Sequence, residues 1–212
     1  MSGETLSQAA YRRLKDDIVQ GRTPAESVLS ERGLAEDLGI SRTPLRTALS
    51  QLENEGVIDR LKNGVILVRS VTVEQLFEIV KLRQQLESAA AARAAGYPPT
   101  QELAGLRDEM QAFATGTHTG FDAFWAADER FHMAVARAAR LEILPGILAE
   151  QRAIARRCTL TRTYDTFTDQ AREHVEIIDA IDRGDAEAAH AAMWQHFEHV
   201  RDRFLQTFSG AK

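Results

Sequence analysis

The sequence predicts a mainly α protein, with an N-terminal winged helix-turn-helix followed by a C-terminal all-α helical bundle. Three observations carry this. The first 72 residues hold short amphipathic helical stretches separated by glycines and end in two β-branched runs around Asn63-Gly64. Everything after Thr72 has helical periodicity, with no strand pattern of useful length. The whole chain has 212 residues, 44% of them hydrophobic and 27% charged, a globular composition long enough for one large or two small domains. The expected division is 1–72 and 73–212.

The N-terminal elements follow in order. Tyr11, Leu14 and Ile18 fall on one face of a helix that stops at Gly21. Ser30 is placed to cap a second helix carrying Leu34, Ala35 and Leu38, and Gly39 to close it. A third helix begins after Ile40, with Ser41 or Thr43 as its cap and Pro44 in its first turn, where no N–H is needed. Leu45, Leu49 and Leu52 form its buried stripe and Gly56 ends it. Val57-Ile58 and Val65-Ile66-Leu67-Val68 then pair as a hairpin across the tight-turn residues Asn63-Gly64. The bundle helices are expected at 73–95, 100–114, 120–139, 143–160, 168–183 and 185–208. Breaks fall at Gly96–Pro99, Gly116–Gly120, Pro145-Gly146 and Gly184-Asp185.

No apolar run reaches the ~18 residues of a membrane span, and the first residues hold no apolar signal core. A single cysteine, Cys158, excludes an internal disulfide. A cytoplasmic protein with no membrane partner is expected. The formal charge of -5 argues against nucleic acid only at whole-chain scale. Residues 1–72 hold ten basic and ten acidic side chains, so the acidic surplus belongs entirely to the bundle.

A helix-turn-helix sets the N-terminal end of its second helix in the major groove. Here that end reads Ser41-Arg42-Thr43-Pro44-Leu45-Arg46. Arg42 and Arg46, four apart, project from one side, and arginine bridges guanine O6 and N7. Ser41 and Thr43 are suited to phosphate oxygens, and Arg32 opens the preceding helix. Lys62-Asn63-Gly64 forms the wing tip, where glycine permits close approach to a sugar-phosphate backbone. Each arginine alone reads as an ordinary solvated residue; their convergence on one end of the motif points to double-stranded DNA.

Residues 8–68, especially SERGLAEDLGISRTPLRTALSQLENEG, resemble the winged-helix domain of GntR-family transcription regulators. LRQQLESAAAARAA, DERFHMAVA and EHVEIIDAIDRGDAEAAHAAMWQHFEHV resemble the FadR-type C-terminal effector domain, FCD. The resemblance implies DNA contacts at Arg32, Ser41, Arg42, Thr43 and Arg46, with Asn63 and Gly64 in the wing. One departure is Pro24-Ala25-Glu26, where the family usually has Pro-Gly.

In the bundle, Asp128 and His132 lie about 40° apart on a stripe with Phe121, Phe124, Trp125, Phe131 and Val135. His174 shares a face with Ala171, Ile177, Ile178 and Ile181, and His196 with Ala189, Met193, Val200 and Phe204. A buried carboxylate is costly unless paired or bound to metal. Three imidazoles and one carboxylate suit Zn, Ni, Mn or Fe as a divalent ion. Each histidine alone also reads as a hydrogen-bonded core residue. Periodicity does not bring the three helices together; the resemblance implies that step, because these four residues match the metal-binding FCD pattern. His118, His190 and His199 read as surface or capping residues.

Arg83 fills a gap in the stripe Leu76, Ile79, Leu86, Ala90. Either it pairs with Glu87 four residues on, or it is a fork for a ligand carboxylate. The resemblance favours effector binding. Arg140, where many relatives carry Asn, reads either as a second cation for the pocket or as a solvent-facing side chain.

The combined expectation is a homodimeric regulator of a palindromic operator, expected to repress. A small organic acid effector would bind at the metal site beside Arg83. The rivals are a metal-responsive regulator, with the ion itself as signal, and a metal-dependent enzyme. The sequence has no HExxH and no clear general base, since Glu129 points about 100° away from Asp128.

Overall fold

The computed structural model describes residues 4–61, 64–117, 120–158 and 167–209. Contacts divide the chain into two compact units. One is Met1–Thr72 with Arg156–Thr159; the other is Val73–Ala155 with Leu160–Lys212.

In the first unit, helix α1 (Leu6–Val19) starts at a capping box between Thr5 and Gln8 and buries Ala10, Leu14 and Ile18. Strand β1 (Val28–Leu29) leads into helix α2 (Glu31–Leu38), whose cap Ser30 accepts from the Gly33 amide at 3.1 Å. Helix α3 (Arg42–Asn54) buries Leu45, Ala48, Leu49 and Leu52 against α1. Strands β2 (Ile58–Arg60) and β3 (Ile66–Val68) form the antiparallel hairpin, and β1 pairs the other edge of β3 to give the order β1-β3-β2. The sequence reading missed β1 because two residues are too few to show alternation. Ile58, Ile66 and Val68 turn one sheet face into the core made by α1 and α3.

The loop before β1 resolves the departure at Pro24-Ala25-Glu26. Glu26 sits at φ 66°, a left-handed conformation that glycine adopts without cost, while its amide donates to the Val68 carbonyl at 2.8 Å. Gly39, which ends α2, has nearly the same angle, φ 64°.

The second unit is helical among its described residues: α4 (Val73–Ala94), α5 (Gln101–Ala114), α6 (Phe121–Ala138), α7 (Leu144–Arg156), α8 (Thr168–Asp182) and α9 (Ala186–Ser209). Helix α7 ends four residues before the expected 160. The main packing pairs are α4 with α9, α5 with α8, and α8 with α9, with α6 against both α4 and α5. Leu103, Met110, Phe131, Ile177, Met193 and Phe197 lie in one core that runs through these helices.

The paired left-handed positions yield a sign test. Gly39→Ala meets no atom within 4 Å of a new Cβ, so its cost is backbone strain alone, about 1 kcal/mol. Glu26→Gly relieves the same strain and gains up to about 1 kcal/mol, less the entropy glycine returns to the unfolded chain. Chemical denaturation of the two variants should give opposite shifts in midpoint.

Candidate functional site

The reading head is built by α2 and α3. Ser41 occupies the N-cap position of α3, yet its hydroxyl makes no capping bond, and Ser41, Arg42 and Thr43 are all exposed. Three backbone N–H groups of this first turn lack helical partners, a donor set suited to a phosphate; Pro44 has none to offer. Arg46 Nε donates to Glu31 Oε2 at 2.9 Å, which joins α3 to the start of α2 directly beside Arg32. Arg32 is exposed and reaches Glu36 at 3.9 Å; among the described residues Arg42 has no ion-pair partner. Gly64 is exposed at φ 77°, and Asn63 lies outside the described residues.

The second site lies at the centre of the bundle, within the second unit. Helix α6 supplies Asp128 and His132, α8 supplies His174, and α9 supplies His196; all four are buried. The ligand atoms of the three histidines lie within 4.8 Å of one another. Asp128 Oδ1 is 3.5 Å from His132 Nε2 and 3.4 Å from His174 Nε2. The helices thus bring together four residues that periodicity alone left on three separate helices.

The ring orientations show what the cluster can hold. His132 Nδ1 donates to Glu87 Oε2 at 2.5 Å, and His196 Nδ1 donates to Glu173 Oε2 at 2.8 Å. A carboxylate only accepts, so the proton sits on Nδ1 and a neutral ring presents its Nε2 lone pair to the centre. His174 Nδ1 lies 3.4 Å from Met110 Sδ, and its Nε2 is buried with no hydrogen-bond partner among the described residues. Inward-facing lone pairs, outward carboxylates and an orphaned nitrogen are the donor arrangement of a divalent metal site. These residues fit such an ion.

Glu87 is the pivot of the outer layer. Arg83 Nε donates to its Oε1 at 2.7 Å while His132 occupies Oε2. The ion pair and the ligand fork are therefore compatible, because Arg83 pairs with Glu87 through Nε and also lines the central cavity. Burial raises the Glu87 carboxyl, but the Arg83 guanidinium and His132 outweigh it and bring it down to about 2. Asp128 is held well below its usual range in a similar way: burial opposes ionisation, and the Arg152 guanidinium overcomes it.

The sequence reading passed over Arg152. It is buried on α7 and donates from Nη2 to Asp128 Oδ2, while Gln170 Nε2 donates to Oδ1 at 3.0 Å. The signal was present: Leu144, Leu148, Arg152 and Ala155 repeat at helical spacing, and all are buried. Arg203 grips Glu173 at 2.7 and 2.9 Å. His199 Nδ1 bonds Glu173 at 2.9 Å, and His190 is exposed and stacks on Trp194. Arg140 does not line the cavity. It follows α6 at φ 55° over the Tyr97 ring, a left-handed position that asparagine adopts more readily than arginine. His118 lies outside the described residues. The cavity has a volume of about 60 Å³ and is walled by Phe124, Trp125 and Phe197 as well as the charged groups.

The family of FCD domains matches residues 78–199, and the gntR family of bacterial regulatory proteins matches residues 6–68. The chain is a gntR-family regulator with an FCD domain. It is 30% identical over 183 residues to the "Probable D-xylose utilization operon transcriptional repressor" of Paenarthrobacter nicotinovorans, covering 85% of this chain and 80% of the relative. It is also 30% identical over 224 residues to the Exu regulon transcriptional regulator of Escherichia coli K12, at 92% and 83% coverage. Among solved structures, E. coli McbR/YncC superimposes with a TM-score of 0.77 at 21% identity, over 97% of this chain and 100% of that one. This gntR-family chain is a DNA-binding transcriptional regulator, and its relatives are regulators rather than enzymes. No helix among the described residues is long and apolar enough to cross a membrane.

The buried His174 of this regulator gives its metal-free form a pH signature. Burial and the neighbouring His196 and His132 push its pKa well below the usual 6.5, against partial opposition from Asp128. Below that value the unfolded imidazole takes up a proton that the folded ring refuses. The corresponding stability is fully present above pH 6.5 and is lost as pH falls. Thermal melts of chelated protein should hold steady near neutrality and decline through pH 6 to about 5; a melting temperature flat over that range counts against a neutral buried His174.

Proposed function

We propose that this regulator is a homodimeric repressor whose hold on a palindromic operator is set by a small carboxylate metabolite bound beside a divalent metal ion in the FCD domain. The observation that carries the reading is the buried cluster of His132, His174, His196 and Asp128, of which Asp128, His132 and His196 line a small cavity that Arg83 also lines. Three imidazoles and a carboxylate suit Zn, Ni, Mn or Fe. Such an ion, when bound, supplies open positions for a carboxylate oxygen.

The chain's own residues do the rest. Glu87 and Glu173 hold the imidazoles of His132 and His196 in the metal-binding tautomer. Arg83 offers the planar fork that suits a carboxylate, and the apolar walls exclude water. At the other end of the chain, Arg42 and Arg46 read base edges, while Arg32, Ser41 and Thr43 anchor phosphates, with Asn63 and Gly64 in the wing. One such contact offers limited specificity, so two copies related by a twofold axis read two half-sites. Leu86, Ile143 and Ile147, exposed around a groove between α4 and the start of α7, give a second copy an apolar face. The acid regulates by binding one of two states better, DNA-competent or incompetent.

Fluorescence anisotropy on the chain's own upstream duplex should show a salt-sensitive preference over random DNA, and its absence overturns the operator reading. Replacing Arg32, Arg42 and Arg46 together by alanine should cut operator affinity by about 100-fold or more with metal content unchanged. Operator binding that survives all three substitutions places the contact elsewhere. Separately, Glu87→Gln should weaken metal binding by about 10–100-fold in competition with a chromophoric chelator. A metal that alone shifts operator affinity, with no acid present, would make the ion itself the signal.

A further inference from the structure

Two arginines line the cavity, and among the described residues each has a buried nitrogen without a hydrogen-bond partner. Arg83 is 8% exposed and Arg152 is 2% exposed, and both line the same space. Each spends one nitrogen on a carboxylate, Arg83 Nε on Glu87 and Arg152 Nη2 on Asp128. Each keeps a buried nitrogen, Nη2 of Arg83 and Nε of Arg152, with no hydrogen-bond partner among the described residues. Buried donors left unpaired are costly, and two arginines that carry them while lining one cavity point to groups that arrive with a ligand. They come from different helices, α4 and α7, so this is not a single helix end or a run of surface charge.

The charge around the site gives the ligand's valence. The guanidinium groups of Arg83, Arg152 and Arg203 face the carboxylates of Glu87, Asp128 and Glu173, three against three. With metal-binding imidazoles neutral, that set is balanced by itself. A divalent ion adds two positive charges to a buried, water-poor space, and a ligand with a single negative charge leaves one of them uncompensated. The 60 Å³ of the cavity is room for about four to six waters, the scale of an acid of about three or four carbons.

We infer that the effector is a short-chain dicarboxylate, and that Arg83 and Arg152 are the residues that select its second negative charge. The inference rests on the metal-and-carboxylate reading above and deepens it. Arg152 has a double role. It neutralises Asp128 through Nη2 and turns the remaining edge of the same guanidinium to the ligand, so the ligand, the metal-facing carboxylate and the arginine form one chain of contacts. Arg83 makes the equivalent link through Glu87 to His132.

The test is isothermal calorimetry on the full chain loaded with Zn²⁺, using succinate against succinamate. The pair has nearly the same size and shape and differs by one charge. Malonate, acetate, inorganic phosphate and D-xylose complete the panel. Succinate or malonate should bind at least about tenfold tighter than succinamate and acetate, since each charge-assisted contact is worth at least that factor. Arg83→Gln and Arg152→Gln should each bring the succinate-to-succinamate ratio toward one. The ratio within a variant is insensitive to a general loosening, and if neither variant folds, the wild-type ratio decides by itself. Equal binding of the two acids overturns the dicarboxylate inference and leaves the carboxylate reading standing. Tighter binding of phosphate or D-xylose than of any dicarboxylate overturns it too. Binding of none of the acids to metal-loaded protein removes the carboxylate reading, and this inference with it.

Discussion

An ionised side chain moved out of water costs several kcal/mol unless an opposite charge and hydrogen bonds meet it, and the FCD bundle is organised around that requirement. Its central helices carry alternating charge inward: Arg83 to Glu87 to His132, Arg152 to Asp128, Arg203 to Glu173 to His196. No member of a chain can be removed without stranding the next. The fold is thereby tied to the site, because the helices that supply these groups, α4, α6, α7, α8 and α9, must hold them at hydrogen-bond distance before the centre is tolerable at all. Among the described residues, the Nε2 of His174 and one buried nitrogen each on Arg83 and Arg152 have no hydrogen-bond partner, a cost that this arrangement leaves in place.

The reading head follows different physics. Its core is small and apolar, Leu45, Leu49 and Leu52 against Leu14, Ile18 and one face of a three-stranded sheet. Its working groups are exposed, and their interactions are weak by design of the surface: Arg46 is held by Glu31 and Arg32 approaches Glu36, pairs worth less than about 1 kcal/mol each in water. Pairs this weak exchange readily for other partners. A net charge of zero over residues 1–72 also gives this unit little non-specific attraction to a polyanion.

Much of the candidate centre was legible along the chain. Asp128, His132, His174 and His196 stood out because polar residues on apolar stripes are expensive to bury, a constraint that period 3.6 exposes directly. Arg152 obeyed the same rule on the stripe Leu144, Leu148, Ala155, and a count of that helix alone would have found it. Glu87 was visible only as a partner for Arg83, since a carboxylate four residues after an arginine looks like a surface pair. Glu173 and Arg203 gave no signal, because a carboxylate on α8 and a guanidinium on α9 carry no mark along the chain of the ion pair that joins them. Strand β1 escaped for a simpler reason: two residues cannot display a period of two.

The amino-acid sequence by itself determined the order of the elements, the faces they bury, the neutral reading head and the acidic bundle, and which polar residues had to turn inward. These depend on local spacing and on the cost of burying charge, both properties of the chain. The tertiary structure decided which inward groups meet. Whether Arg83 serves Glu87 or the cavity, whether Arg140 reaches the site, and that Arg152 shares Asp128 with two histidines depend on how separate helices cross. Crossing geometry is set by side-chain packing between helices distant in sequence, and no periodicity within a single helix contains it.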